Sequence, residues 1–435
     1  MSKSQTSAFP AKPDDIIFDW NDVQPLARPA QLFDLNDETL RDGVQSPSVI
    51  DPPIEDKFEL LGLMSKLGIR AVNIGLPGAG RRAFDDVVAQ AKFIAKHKLK
   101  LQPNCAARTV ITDIKPVVES SQASGQKIVL YTFIGSSPIR QWAENWTVDF
   151  IEKTSAEAIS FAVKEGLEVA YVTEDTTRSS PAALDVLFRS AIDHGATRLV
   201  LCDTVGHATP PGVKALVEWT RGLLSKARSH VKLDWHGHND RGLAITNALA
   251  ALEAGIDRVH ACGLGVGERV GNTSMDQLLL NLKLMGWVDY DLSALVEYVN
   301  KVSQSTHVAI PVNYPLSGAD AFRTATGVHA AAIIKAKNRG NDWLADRIYS
   351  GVPAGEFGRE QVIEVGHMSG MSNVKYWLTK RGYPVTEELC EKILKRAKSS
   401  AWTLGEKEIL SLVKPAKRKK AVAKAARKKA KPARK

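Results

Sequence analysis

Eight times between residues 31 and 263, a short β-branched or apolar run is followed by a longer stretch with helical periodicity. This alternation limits the fold more than any other feature of the chain. The runs are QLFDL (31–35), AVNIGL (71–76), LKLQPNC (99–105), KIVLYTF (127–133), EVAYVT (168–173), RLVLCD (198–203), KLDWHG (232–237) and RVHACG (258–263). Between them lie amphipathic patterns such as EDKFELLGLMSKLG (55–68), SAEAISFAVKEG (155–166) and PAALDVLFRSAIDHG (181–195), each closed by a glycine of the kind that stops helices. Strands that alternate with helices must run parallel, joined by right-handed crossovers.

Eight such units fit a (β/α)8 barrel, with an open doubly wound sheet as the competing topology. The ends of the runs favour the barrel. Nearly every run closes in reactive side chains: NDETLRD, NCAAR, TEDTTR, DTVGH, HGHND and GERVGN. A barrel gathers all strand C-termini on one face, whereas an open sheet spreads them along an edge. The expected organisation is a flexible leader over 1–30, a barrel over 31–287, a smaller, mostly helical extension over 288–413 and a Lys/Arg-rich tail over 414–435.

His236-Gly237-His238 is the sharpest local signal. Residues i and i+2 of a strand face the same side, so two imidazoles can bind one ion, and neutral imidazole suits Zn, Mn, Fe or Ni. Asn239 and Asp240 are positioned to orient the ligands. Standing alone, HGHND reads equally well as a hydrogen-bonded histidine pair. Asp42, in NDETLRDGVQ after the first run, adds a hard oxygen ligand, and Arg41 beside it can aim fixed donors at a developing oxyanion. Glu174-Asp175 and Asp203-Thr204, at the ends of the fifth and sixth runs, are ordinary cap and turn residues by themselves. GVGERVGN (265–272) has the glycines of a tight turn but lacks the dinucleotide GxGxxG spacing, which needs Gly at 270. One barrel face gathers all of these clusters.

The charge of +10 resembles that of a nucleic-acid binder, but it is local. Residues 414–435 hold 12 of the 58 Lys and Arg and no acid, leaving 46 basic against 48 acidic residues, a net −2, elsewhere. The tail reads as a solvated segment offering at most a weak, salt-sensitive contact with polyanions. No apolar stretch is long enough to span a membrane, and the N-terminus lacks the apolar core of a secretory signal. Cys105, Cys202, Cys262 and Cys390 are widely spaced with no CxxC pair, which points to a reducing cytoplasm.

Taken together, HGHND, Leu40-Arg41-Asp42-Gly43 with Gln45, GVGERVGN and CDTVGHATP resemble the 2-isopropylmalate synthase and homocitrate synthase family of metal-dependent barrel enzymes. The likeness runs from about residue 31 to 413. It includes Thr326-Gly327-Val328-His329, similar to that family's Ser-Gly-x-His element, and GHMSGMSNV (366–374), similar to its later Ser-Gly segment. The resemblance implies a cytoplasmic acyltransferase of leucine biosynthesis that condenses acetyl-CoA with a 2-oxo acid, most simply 2-oxoisovalerate. It implies a divalent ion (Mn2+, Mg2+ or Zn2+) on Asp42, His236 and His238, with Asn272 nearby or ligating. Arg41 polarises the keto oxygen, Thr204 binds the carboxylate, Glu174 and Glu268 manage protons, and His329 reaches in from the extension of a homodimer that exchanges these segments.

The chain departs from the family pattern at Asn73, where Glu is usual, at Arg140 in SPIR, where His is usual, and at Val44, Cys262 and Leu264. These changes spare the metal residues and alter the wall that reads the 2-oxo acid, so Gln45, Thr204, Arg140 and Asn73 are the expected substrate contacts. Homocitrate and citramalate synthases are sibling readings. A 3-hydroxyacyl-CoA lyase shares the barrel and the trio, and polyanion binding through the tail is the non-enzymatic alternative. With only the tail after residue 413, no leucine-binding regulatory domain is expected.

Overall fold

A computed structural model describes residues 16–227 and 229–413. The basic tail and the first fifteen residues lie outside this range. Two compact units are present, one ending at Ile310 and one beginning at Pro311.

The first unit is a closed barrel of eight parallel strands in sequence order. The strands are β1 (Asp34–Asp37), β2 (Ala71–Asn73), β3 (Gln102–Arg108), β4 (Val129–Gly135), β5 (Val169–Glu174), β6 (Arg198–Asp203), β7 (Lys232–Gly237) and β8 (Arg258–Ala261). Closure comes from β1 pairing with both β2 and β8, Asn36 opposite Ala71 on one side and His260 on the other. The competing open sheet is thereby excluded. Helices α1 (Ile54–Lys66), α2 (Arg81–Lys96), α3 (Ile111–Ser124), α4 (Pro138–Glu144), α5 (Val148–Lys164), α6 (Pro181–Asp193), α7 (Pro210–Lys226), α8 (Ala244–Glu253), α9 (Met275–Leu284) and α10 (Leu295–Thr306) follow in order.

Each long helix presents one apolar stripe to the sheet. In α5 that stripe is Ile151, Ser155, Ala158, Ile159 and Ala162, spaced three or four apart. Burying a Leu or Ile of this kind contributes roughly 1.5–3 kcal/mol. Inside the barrel, Val129, Tyr131, Ala170, Val200 and Cys202 form an apolar cluster. All four cysteines are free and buried, and no described helix is long and apolar enough to cross a membrane.

Two strands begin three residues later than their apolar runs suggest. β1 extends through Asn36 and Asp37, and β3 runs to Arg108. Polar residues can occupy a barrel interior when they satisfy one another. Asn104 Nδ2 donates to Asn36 Oδ1 at 2.8 Å, and Tyr298 OH donates to Asp37.

The division between units also falls later than residue 287. Helix α10 was expected in the extension, but it packs on the barrel, where Lys301 reaches Asp56 at 2.7 Å and Tyr298 reaches Asp37. Nor is the leader free to residue 30. The Ala27 N–H donates to Glu253, and Gln31 Nε2 donates to the Gly255 carbonyl.

The second unit contains α11 (Gly327–Asn338), α12 (Asp342–Arg347), α13 (Met371–Lys380), α14 (Glu387–Lys398) and α15 (Glu406–Leu412). It also has a small parallel pair, β9 (Arg323–Thr324) with β10 (Val362–Ile363), which the sequence reading lacked. Its two motifs touch each other. Gly327 N–H donates to Met368 O, and Ser369 Oγ donates to Ala325 O.

Candidate active site and metal centre

A cavity of about 230 Å³ opens at the C-terminal ends of the strands. Alternate strand residues line it: Tyr131 and Phe133 from β4, Val172 and Glu174 from β5, Val200 and Cys202 from β6, His236 from β7 and His238 just past its end. Alternation follows from the pleat, which turns every second side chain inward.

Asp42, His236 and His238 converge within this cavity. Their ligand atoms all lie within 4.8 Å of one another. The two Nε2 atoms are 3.3 Å apart, and Asp42 Oδ2 lies 3.6 and 3.7 Å from them. A bound ion with ligand bonds of about 2.0–2.2 Å sets neighbouring ligand atoms roughly 3–3.5 Å apart, so the trio needs little adjustment. Asp42 Oδ2 is buried without a hydrogen-bond partner. Burial pushes both imidazoles toward their neutral, ligating form. Burial opposes charge on Asp42 too, yet Arg41 holds its carboxyl well below the usual carboxylate range. The donor set fits a divalent cation of the Zn or Mn type.

Arg41 stands over this trio. One guanidinium nitrogen donates to Asp42 Oδ1 at 2.9 Å and another to Glu38 Oε2, while Nε is buried with no protein partner. Glu174 and Glu268 line the same cavity. Burial raises the Glu174 carboxyl above its ordinary value, against the pull of Arg140 and Arg41. Gln45 and Thr204 line it as well, Thr204 Oγ1 accepting from the Asp175 N–H at 2.8 Å.

Two expected substrate contacts do not line the cavity. Arg140 lies between Glu144 at 3.4 Å and the lining residue Glu174 at 3.8 Å. Asn73 is fully buried in β2 and accepts from Gly75 N–H. His329 belongs to the second unit, where it is exposed with its ring 4.1 Å from Tyr349.

The GVGERVGN loop folds on itself rather than around a phosphate. Gly271, at φ +91°, has the Gly265 carbonyl where a Cβ would sit, so no larger residue fits. The loop thereby brings Asn272 into a bridge with His238, and Asn272 Oδ1 is buried without a partner. Asn239 and Asp240 do not orient the histidines. Asn239 Oδ1 accepts from Ala244 N–H at the start of α8, and Asp240 pairs with Arg269.

Several lining residues escaped the sequence reading. Glu38, Tyr131, Phe133, His260 and Arg269 all face the cavity. Glu38 stands within NDETLRD, where nothing along the chain separates it from its polar neighbours. His260 was legible as a polar residue inside an apolar run, two before Cys262, which is the available signal for an inward-facing group.

A family model described as HMGL-like matches residues 32–302. The chain belongs to the HMGL-like family. Its relatives include a probable 2-isopropylmalate synthase of Methanopyrus kandleri, 31% identical over 375 residues, covering 85% of this chain and 69% of the relative. The homocitrate synthase AksA of the same organism is 29% identical, covering 86% and 88%. A homocitrate synthase of Pyrococcus horikoshii is 30% identical, covering 84% and 94%. The resemblance read from the spaced motifs is therefore borne out. Among solved structures, the hydroxymethylglutaryl-CoA lyase of Pseudomonas aeruginosa shares the fold with a TM-score of 0.53, at 19% identity over 64% of this chain and 94% of that one.

Proposed function

We propose that the protein is an acyltransferase that condenses acetyl-CoA with a 2-oxo acid bearing an uncharged side chain, most simply 2-oxoisovalerate. The observation that carries this reading is one cavity holding the Asp42–His236–His238 trio, Arg41 and an apolar wall of Ala106, Tyr131, Phe133, Val172, Val200 and Cys202. The lining cations are already paired, Arg41 with Glu38 and Asp42, and Arg269 with Asp240. A second carboxylate, as in 2-oxoglutarate, would have to compete for them, which favours 2-isopropylmalate formation over the homocitrate reaction. The small volume suits a short acid plus the reactive end of a thioester.

Asp42, His236 and His238, with Asn272 beside them, would hold a divalent ion (Mn2+, Mg2+ or Zn2+). When bound, it supplies Lewis-acid polarisation and a template for the acid's carboxylate and keto oxygens. Thr204 is suited to the carboxylate. Glu174, whose raised affinity for protons suits a base, or Glu268 takes a proton from the thioester methyl carbon. The electron pair left on that carbon forms the new bond to the keto carbon, and the C=O pair moves to oxygen. Arg41 stabilises the resulting alkoxide, which takes up the proton removed from the methyl carbon to become the product hydroxyl. Water then cleaves the thioester to carboxylate and free thiol. His329 would serve the same site from the second unit of a partner copy in a homodimer with exchanged extensions. The tail over 414–435 would add at most a weak polyanion contact.

The test is thiol release from acetyl-CoA with Mn2+ and a panel of 2-oxo acids. Release with 2-oxoisovalerate well above 2-oxoglutarate and pyruvate supports the proposal. Preference for another acid moves the chain to a sibling synthase. Cleavage of a 3-hydroxyacyl-CoA with no condensation overturns it in favour of the lyase.

A further inference from the structure

Beneath Arg41 runs a buried polar chain that the condensation chemistry does not itself use. Glu38 is 1% exposed. Its Oε2 accepts from Arg41, and its Oε1 accepts from Asn36 Nδ2 at 2.6 Å and faces His260 Nδ1 at 3.3 Å. The other nitrogen of that ring lies 3.0 Å from Asp234 Oδ2. Asp234 is held in turn by Tyr131 OH at 2.9 Å and by Arg198. Tyr131 OH also accepts from Arg258 at 3.0 Å. His260, Asp234, Tyr131 and Arg258 are all buried.

We propose that His260 is a positioning residue for Arg41, acting through Glu38. Its ring is wedged between two carboxylates on different parts of the barrel, Asp234 on β7 and Glu38 just past β1, so it cannot turn without breaking one contact. Both oxygens of Glu38 and both of Asp234 accept hydrogen bonds, and a buried network held in this way is rigid. Its lower end is fixed by two arginines from β6 and β8. Its upper end fixes Glu38 and, through it, one edge of the guanidinium. The other edge is set by Asp42. Displacing a positioned group by about 1 Å can cost on the order of 100-fold in rate. The strut therefore sets where Arg41 points, and the same ring packs edge-on against His236, with centroids 5.6 Å apart.

The activity arm of the test rests on the proposed condensation. In His260→Asn the amide nitrogen replaces Nδ1 and keeps the Glu38 contact; in His260→Gln it replaces Nε2 and keeps only Asp234. The expected result is a fall in kcat of about 10–100-fold for the Gln variant and within about threefold for the Asn variant. Mn2+ affinity, read from the spin-resonance signal of free Mn2+, should stay within about threefold of wild type for both variants. In an Arg41→Ala background neither change should lower the residual rate more than about twofold. Equal losses in the two variants, full losses without Arg41, or a tenfold loss of Mn2+ affinity would each overturn the proposal. If the wild-type protein condenses no 2-oxo acid, the functional reading fails and the strut is judged by crystallography. A crystal structure of His260→Gln should then show the Arg41 guanidinium displaced from Glu38, and an unmoved guanidinium overturns the strut.

Discussion

His236 and His238 present their Nε2 atoms 3.3 Å apart, both facing the same oxygen of Asp42. The first prediction follows from this convergence. His238→Ala should weaken Mn2+ binding by at least about 100-fold and abolish condensation, while the melting temperature of the metal-free protein shifts only a few degrees. Added Mn2+ should raise the wild-type melting temperature and not that of the variant, because an ion that binds only the folded state stabilises by mass action. Retained activity in the variant would remove the metal assignment.

Arg41 shares its guanidinium between Glu38 and Asp42 and keeps a buried Nε–H with no protein partner. Removing one oxyanion donor typically costs about 10²–10³-fold in kcat. Arg41→Ala is expected to fall in that range with acetyl-CoA KM nearly unchanged. A loss confined to KM would mean that Arg41 binds the ground state and does not stabilise the alkoxide.

Asp37 is fully buried and accepts from Tyr298 OH; burial raises its carboxyl to about 6, although the hydrogen bonds from Thr39 and Tyr298 pull the other way. The folded protein therefore holds this proton more tightly than the unfolded chain. The contribution is fully present below about pH 4 and is lost as pH rises through about 6. Its size is on the order of 2–3 kcal/mol. Asp37→Asn should remove this dependence, so its stability relative to wild type should improve between pH 4 and 7. Urea unfolding at both pH values checks this, and a relative stability that does not change with pH would refute it.

Phe133 and Val172 stand side by side on β4 and β5, both facing the cavity. Phe133→Ala should enlarge the apolar wall and shift preference toward longer 2-oxo acids. A methylene in such a pocket is worth about 10–200-fold in kcat/KM. Measuring kcat/KM for 2-oxoisovalerate against 2-oxo-4-methylpentanoate in both proteins decides it, and an unchanged ratio would exclude Phe133 from the specificity wall.

Much of this protein is legible along the chain. Eight apolar runs yield eight strands, and the i, i+2 spacing of His236 and His238 puts both rings on one side, because backbone period alone controls those features. Motif spacing likewise leads to Asp42 and Arg41. The chain is not legible where polar groups satisfy one another across the fold. β1 reaches further than its apolar run, where Asn36 accepts from Asn104, and β3 does so where Ala106, Ala107 and Arg108 pair with Tyr131, Thr132 and Phe133 of β4. Helix α10 joins the barrel because Tyr298 finds Asp37, 261 residues away in sequence.

The tertiary structure alone decided which reactive residues share a cavity. It brought Glu38, Tyr131 and His260 in, and left Asn73 and Arg140 out of the lining. It also assembled the chain from Arg258 and Arg198 through Asp234 and His260 to Glu38 and Arg41. The reason is geometric. A sequence records local periodicity, whereas contacts across a closed barrel depend on how strand tilt and stagger align residues from distant strands.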